Sequence, residues 1–164
     1  MIDSYLRSGS DLEDHAIHLL FSANRWELAN KIQTLLSAGH TVLLDRYIHS
    51  GMVFTTAAKS LPLPWCRSPE IGLPQPDLVL FLDISEEAAA LRGGYGEERY
   101  EKREIQDRVR RVFGEVRKEE EGFVNWKVVD AGKGVEQVAG EVWKVVSEVV
   151  EGEKGELKKY MVGS

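Results

Sequence analysis

Asp77-Leu78-Val79-Leu80-Phe81-Leu82-Asp83 decides the fold class. Five apolar residues follow one another between two carboxylates with no polar alternation. A strand with one wet face would alternate, so this run suits a parallel strand covered by helices on both faces. Two other stretches repeat it: Thr41-Val42-Leu43-Leu44-Asp45, β-branched and aliphatic and ending in an acid, and the weaker Lys127-Val128-Val129-Asp130. Both read as strands, with Thr41–Asp45 buried. Helical patterns fill the intervals. Between Asp11 and Leu36 the residues Leu12, Ile17, Leu20, Phe21, Trp26, Leu28, Ile32 and Leu35 recur mostly at spacings of three and four, which predicts one or two amphipathic helices. Ser37-Ala38-Gly39-His40 supplies the stop. Ser85, followed by Glu86 and Glu87, caps a helix to Leu91, and good helix formers occupy Lys102 to Lys118 and Val135 to Val150. Strands alternating with helices predict an α/β domain with a parallel sheet.

The 164 residues, 43% hydrophobic and 29% charged, suffice for one domain with a core and exclude intrinsic disorder. Lys plus Arg total 21 against 27 Asp plus Glu, a net charge of −6 that disfavours nucleic-acid binding. The single cysteine, Cys66, cannot form an internal disulfide, and the first residues have neither the basic start nor the apolar stretch of a signal peptide. A reducing setting, cytosolic or nuclear, is expected, and the apolar run Leu78–Leu82 is far too short to span a membrane. All five prolines lie between Pro62 and Pro76, which predicts a long connecting loop without regular helix. Lys118-Glu119-Glu120-Glu121 reads as a solvated helix end. Residues 1–150 form the domain, and 151–164 read as a charged, frayed tail.

Ligands of open parallel sheets bind at the carboxyl ends of the strands, which draws attention to Asp45 and Asp83. Asp45 is the stronger candidate, because Arg46, Tyr47, Ser50 and Gly51 follow it. These offer an acid for magnesium-bound water, a guanidinium able to grip phosphate in two places, and a tight turn for close backbone approach. The plainer alternative is a surface ion pair between Asp45 and Arg46. A second cluster is Arg92-Gly93-Gly94-Tyr95-Gly96-Glu97-Glu98-Arg99-Tyr100-Glu101, with Arg103, Gln106, Arg108, Arg110 and Arg111 behind it. Glycines flanked by arginines have the composition of a lid that closes over a phosphate chain; alternatively the arginines pair with Glu98, Glu101, Glu104 and Asp107 along a helix. His15 and His18 lack the further ligands of a metal site. Phe21 and Trp26 fit a core, but Arg25 between them needs a partner for its charge.

Four segments together carry a resemblance: Leu19-Leu20-Phe21-Ser22-Ala23-Asn24-Arg25-Trp26-Glu27, Asp45-Arg46-Tyr47-Ile48-His49-Ser50-Gly51, Gly72-Leu73-Pro74-Gln75-Pro76-Asp77 continuing through Asp83, and Arg92–Glu101. In order and spacing they resemble eukaryotic thymidylate kinases over roughly Ser4 to Asp130. The resemblance implies a P-loop, nucleoside monophosphate kinase-like α/β fold, a three-layer parallel sheet that moves the γ-phosphoryl group of Mg-ATP to dTMP, giving dTDP. It implies that Phe21 stacks on thymine and Arg25 hydrogen-bonds the base. Asp45 would help position the metal, Mg2+, through water, Arg46 would bind the dTMP phosphate, and Ser50, Gly51 and Phe54 would line the acceptor pocket. Arg99, Tyr100 and Gln106 would belong to the lid, with Arg99 catalytic alongside Asp45 and Arg46, and Tyr100 near the sugar. Arg92 and the Ala131-Gly132-Lys133 turn would flank the adenine of ATP. A homodimer is implied, with the Asp11–Leu36 helices contributing its interface.

The family's Gly-x-x-x-x-Gly-Lys-Ser/Thr loop occurs nowhere in these 164 residues; Gly132-Lys133 is followed by Gly134. The expectation is therefore an amino-terminally truncated version of the fold, without the first strand, phosphate loop and first helix. By the family's topology that strand lies between Thr41–Asp45 and Leu78–Asp83, so both would face a gap. The chain alone is expected to be poorly stable and to have little or no kinase activity, because the loop's N–H groups and lysine hold the ATP phosphates. A non-catalytic protein that binds thymidine nucleotides or dimerises is the alternative.

Overall fold

A computed structural model of the chain describes residues 2, 5, 12–90, 103–152 and 155–161. Helix α1 (Asp14–Ser37) is followed by α2 (Ile48–Lys59), the short α3 (Leu63–Arg67) and a 3-10 turn at Ser68–Glu70. Then come strand β1 (Val79–Asp83), α4 (Glu86–Ala90), α5 (Arg103–Glu119), β2 (Trp126–Asp130) and α6 (Val135–Glu151). One long helix thus covers the stretch where one or two were expected. Glu13 caps it, its carboxylate accepting from the His15 and Ala16 amides. It stops where Gly39, at φ +83°, takes the left-handed conformation that closes a helix end, its N–H bonded to the Leu36 carbonyl at 2.9 Å.

The decisive run forms β1, paired in parallel with β2 in the register Val79↔Trp126 to Asp83↔Asp130. In a parallel pair, partnered residues share a face. Val79, Phe81 and Trp126 therefore look the same way, and Phe113 of α5 packs there, its ring centre 4.6 Å from that of Phe81 and 6.3 Å from that of Trp126. The core lies beyond this face, among Ile48, Met52 and Val53 of α2, Val109, Val112 and Val116 of α5, and Cys66 and Leu73. Each such large aliphatic side chain contributes about 1.5–3 kcal/mol by leaving water. On the opposite face Val129 is buried, but Leu82 is 52% exposed.

The structure corrects several expectations. Thr41–Asp45 joins no ladder among the described residues; it is irregular chain, with a bend at Asp45, in which Leu43 is 89% exposed. β propensity describes fit to a sheet surface, and without a neighbouring strand to take its N–H and C=O groups an apolar run does not become a strand. The three-layer sheet is accordingly represented by one parallel pair. The proline segment is not a plain loop: Pro62 and Pro64 open α3, where a missing N–H is harmless. The tail is not frayed over residues 155–161. Lys159 forms an antiparallel bridge with Pro74, the Tyr160 N–H donates to Leu73 at 2.8 Å, and the Gly72 N–H donates to Tyr160 at 2.9 Å.

Tyr160 is buried, and its hydroxyl donates to Glu120 Oε1 at 2.5 Å. Glu120 is therefore no solvated helix end. It also accepts from Trp126 Nε1 at 2.9 Å and lies 3.0 Å from His49 Nε2. Burial works to raise its pKa, but the contacts with His49, Tyr160 and Trp126 prevail and hold it below the usual carboxylate range. Among the described residues, no helix is long and apolar enough to cross a membrane.

Candidate active site

Phe21 and Arg25 lie one turn apart on α1 and so share a side of that helix. Ser22 Oγ and Trp26 Nε1 both donate to the Pro69 carbonyl, at 3.1 and 2.7 Å, which ties this part of α1 to the 3-10 turn. Glu70 of that turn has no exposed surface and answers the question of Arg25's partner. Arg25 Nε donates to Glu70 Oε2 at 2.7 Å and Nη2 donates to Oε1, a two-bond fork between guanidinium and carboxylate.

The first turn of α2 brings Ser50 and Gly51 to the same place. They form a helical turn rather than the tight turn expected of them, but the close approach is real. A Cβ on Gly51 would stand 2.6 Å from Arg25 Nη2 and 2.9 Å from Nη1. Ahead of α2, Arg46 has φ +65°, a left-handed conformation that costs a non-glycine residue free energy and is concentrated at functional sites. Its guanidinium carbon stands 5.4 Å from the centre of the Phe54 ring, within cation–π range. Asp45 is exposed, and no ion pair with Arg46 forms. The Tyr47 hydroxyl donates to the Pro74 carbonyl at 3.2 Å; burial, aided by the Glu70 charge, pushes its pKa up to about 12, so it stays a neutral donor.

Behind this surface His18 bridges α1 to its neighbours. Its Nε2 donates to the Cys66 carbonyl at 2.8 Å, which leaves Nδ1 to accept from Thr55 Oγ1 at 2.9 Å in the neutral ring. Burial lowers its pKa, consistent with that neutral form. Burial also raises the Cys66 thiol, which suits a packing role rather than a nucleophile. Among the described residues no three His, Cys, Asp or Glu side chains cluster to hold a metal ion.

The carboxyl ends of the two strands form a separate, open cleft lined by Asp83, Ser85, Arg110, Val128 and Asp130. Arg110 Nε donates to Asp83 Oδ1 at 2.9 Å and its Nη2 donates to the Ile84 carbonyl. Asp130 Oδ1 accepts from the Gly132 amide at 2.9 Å, and Lys133 binds Glu141 at 2.6 Å. The structure thus brings Arg25 and Gly51 together, and Arg46 and Phe54 together. Gln106 sits on α5, and Lys133 on the turn after β2. Arg92, Arg99 and Tyr100, with the rest of the expected lid loop, lie outside the described residues.

The model of the family described as thymidylate kinase matches residues 1–142. This chain belongs to the thymidylate kinase family. It is 48% identical to thymidylate kinase of Homo sapiens over 148 residues, covering 90% of this chain and 68% of the human protein. It is 47% identical to that of Arabidopsis thaliana over 150 residues, covering 92% of this chain and 55% of the relative. A solved structure of thymidylate kinase from Candida albicans superposes with a TM-score of 0.84 at 34% identity, covering 98% of this chain and 79% of that one. The chain therefore spans between about half and four fifths of the length of these relatives. Thymidylate kinase membership accounts for the four sequence segments and for the parallel strand pair. Sequence reasoning missed Glu70 at this site. Its only signal was an acid placed between Pro69 and Ile71 in a proline-rich stretch.

Proposed function

We propose that this chain supplies the acceptor side of a thymidylate kinase, the surface that binds dTMP to receive the γ-phosphoryl group of Mg-ATP. The observation that carries the reading is the close approach of Arg25 to Gly51, where a Cβ would stand 2.6 Å from Nη2, beside the helix turn that follows Asp45 and Arg46. On it, Phe21 stacks on thymine, Arg25 donates to the base, and Ser50, Gly51 and Phe54 form the pocket wall. Arg46, which has no carboxylate partner among the described residues, takes the phosphate. Phosphoryl transfer is mostly positioning and charge neutralisation, which two arginines and one acid are suited to provide.

The fit to magnesium and ATP is uneven. Magnesium takes one or two carboxylates and keeps several waters, and the exposed Asp45 is such a carboxylate. Magnesium and ATP, when bound, supply charge neutralisation and the transferred group. For the donor nucleotide these residues offer Lys133 beside the Gly132 turn, Arg92, and the lid residues Arg99, Tyr100 and Gln106, but no Gly-x-x-x-x-Gly-Lys-Ser/Thr loop. The 164 residues by themselves are therefore proposed to bind dTMP with little or no turnover. Dimerisation belongs to the same reading, supported by the exposed Leu19, Trp26 and Leu28 on α1, as does a cytosolic or nuclear setting.

Titration of dTMP into the purified chain, followed by Trp fluorescence, is expected to saturate, with dGMP and AMP much weaker and Arg25→Ala lowering the dTMP affinity to a weak but still measurable value. Equal or tighter binding of dGMP would refute the acceptor assignment. A coupled ADP-release assay on the same sample separates the binding role from a working enzyme. Turnover near that of a complete family member would overturn the proposed inactivity.

A further inference from the structure

Glu70 is a carboxylate with no exposed surface, held in a turn of three residues by its fork to Arg25. A buried ion pair is weak support for stability, because apolar side chains of similar volume often serve as well. What the fork does provide is direction. Both bonds come from one edge of the guanidinium, Nε and Nη2, which fixes the plane of the group and turns the Nη1 edge away from Glu70. Gly51 closes the other side, since a Cβ there would fall within 2.9 Å of Nη1, Nη2 and Cζ. Only 12% of the Arg25 side chain remains exposed, so a ligand meets a narrow, preset edge of donors.

A guanidinium has donors and no acceptor. A pyrimidine that presents a carbonyl at position 4, as thymine does, can accept from that edge; cytosine presents an amino donor there and cannot. We infer that Glu70 is a positioning residue that sets the base preference of the acceptor site, holding Arg25 so that only a 4-oxo pyrimidine satisfies it. The inference rests on the dTMP reading of the site and deepens it.

The test is a pair of titrations, dTMP and dCMP, on the wild-type chain and on Glu70→Gln, Gly51→Ala, Arg25→Ala and the Glu70→Gln/Arg25→Ala double variant, with a melting curve for each. Glu70→Gln keeps the shape but loses one arm of the fork. It is expected to weaken dTMP by roughly ten- to a hundredfold, as misplaced binding groups do, while dCMP changes by about twofold or less, so that preference collapses toward that of Arg25→Ala. In the Arg25→Ala background the same change should alter preference no further. Equal weakening of both nucleotides, or an unchanged ratio, overturns the inference and leaves Glu70 a structural acid. If Glu70→Gln fails to fold, Gly51→Ala carries the test. It leaves Glu70 intact, displaces the guanidinium from the other side, and must also lower the dTMP-to-dCMP ratio. Wild-type protein that binds no dTMP sinks the site reading and this inference together, whereas binding with an unchanged ratio in the variants sinks the inference alone.

Discussion

Tyr160 should be among the most costly residues to truncate, although it lies a few positions from the end of the sequence. Its ring is buried against Met52 and His49, its hydroxyl donates to the Glu120 carboxylate, and its backbone pairs with Gly72 and Leu73. Tyr160→Phe keeps the ring and deletes one bond to a charged acceptor, worth about 1.5–3 kcal/mol. Glu120 keeps Trp126 and His49, so the loss should stay within that range. Tyr160→Ala removes the ring as well, and large aromatic deletions cost about 3–5 kcal/mol. For a chain of this size each kcal/mol lowers the melting midpoint by roughly 2–4 °C, giving falls of roughly 3–12 °C for Phe and 6–20 °C for Ala. Thermal unfolding followed by far-UV circular dichroism reads both. The sign with pH is fixed by Glu120, whose folded pKa lies below its usual value of 4.5. Its bonds stabilise the fold above that value and are lost as pH falls through the folded pKa. The gap between wild type and Tyr160→Phe should therefore be full at neutral pH and shrink in acid. A midpoint for Tyr160→Ala within 2 °C of wild type (about the smallest shift attributable to 1 kcal/mol) would mean that the tail is not docked, and the reasoning would fail.

Three further outcomes are expected. Arg46→Ala should leave the melting midpoint nearly unchanged, within about 0.5 kcal/mol for an exposed side chain, yet weaken dTMP by roughly tenfold or more, as loss of a charge-assisted bond does; thymidine, which has no phosphate, should bind both proteins alike, and equal weakening of the two ligands would count against a phosphate role. His18 is held neutral in the fold with its pKa below 6.5, so the unfolded chain takes up a proton first and stability drops as pH falls below 6.5. His18→Gln should flatten the midpoint-versus-pH curve between about pH 6.5 and 5, and an unaltered slope would contradict the buried neutral ring. Leu43→Ser should cost under about 0.5 kcal/mol at an exposed site, whereas a leucine in a buried strand would cost about 2–5 kcal/mol on truncation; urea unfolding distinguishes these.

The elements legible in the sequence were those whose pattern is local. α1 follows from apolar spacing, α5 and α6 from their good helix formers, and the Ser85 cap holds, with the Ala88 amide donating to Ser85 Oγ at 3.2 Å. β1 and β2 were legible because each supplies the other's ladder. Thr41–Asp45 carries the same apolar signal and forms no strand, because pairing is a property of two segments and its composition speaks for only one. The tail misled for a related reason. Gly155-Glu156-Leu157-Lys158-Lys159 is composed like solvent-exposed chain, yet Tyr160 beyond it finds the only kind of partner a buried phenol accepts, an acceptor deep in the core. Burial of Glu120 was invisible for the complementary reason, since its charge is tolerable only because Trp126 nearby and the distant His49 and Tyr160 converge on it.

At the site the same division explains what was found and what was missed. Arg25 stood out because a cation among Phe21, Trp26 and Leu28 requires an explanation, but the chain gives no rule linking it to an acid 45 positions away. Glu70 becomes its partner only because the prolines at 62, 64 and 69 open α3 and the 3-10 turn and lay that turn against α1, where Ser22 and Trp26 both bind the Pro69 carbonyl. The proline segment, read as a passive connector, is thus the element that orients the arginine. The residues of the proposed acceptor surface come from two helices and one turn outside the sheet: α1 carries Phe21 and Arg25, α2 carries Ser50, Gly51 and Phe54, and the turn carries Glu70. The side that would recognise a base is assembled from helix packing around a filled core, while the strand ends that would face the donor nucleotide form an open cleft in which Arg110 and Asp83 satisfy each other. On the proposed reading, recognition and transfer therefore draw on different parts of the fold, so that dTMP binding and turnover are expected to respond to different substitutions.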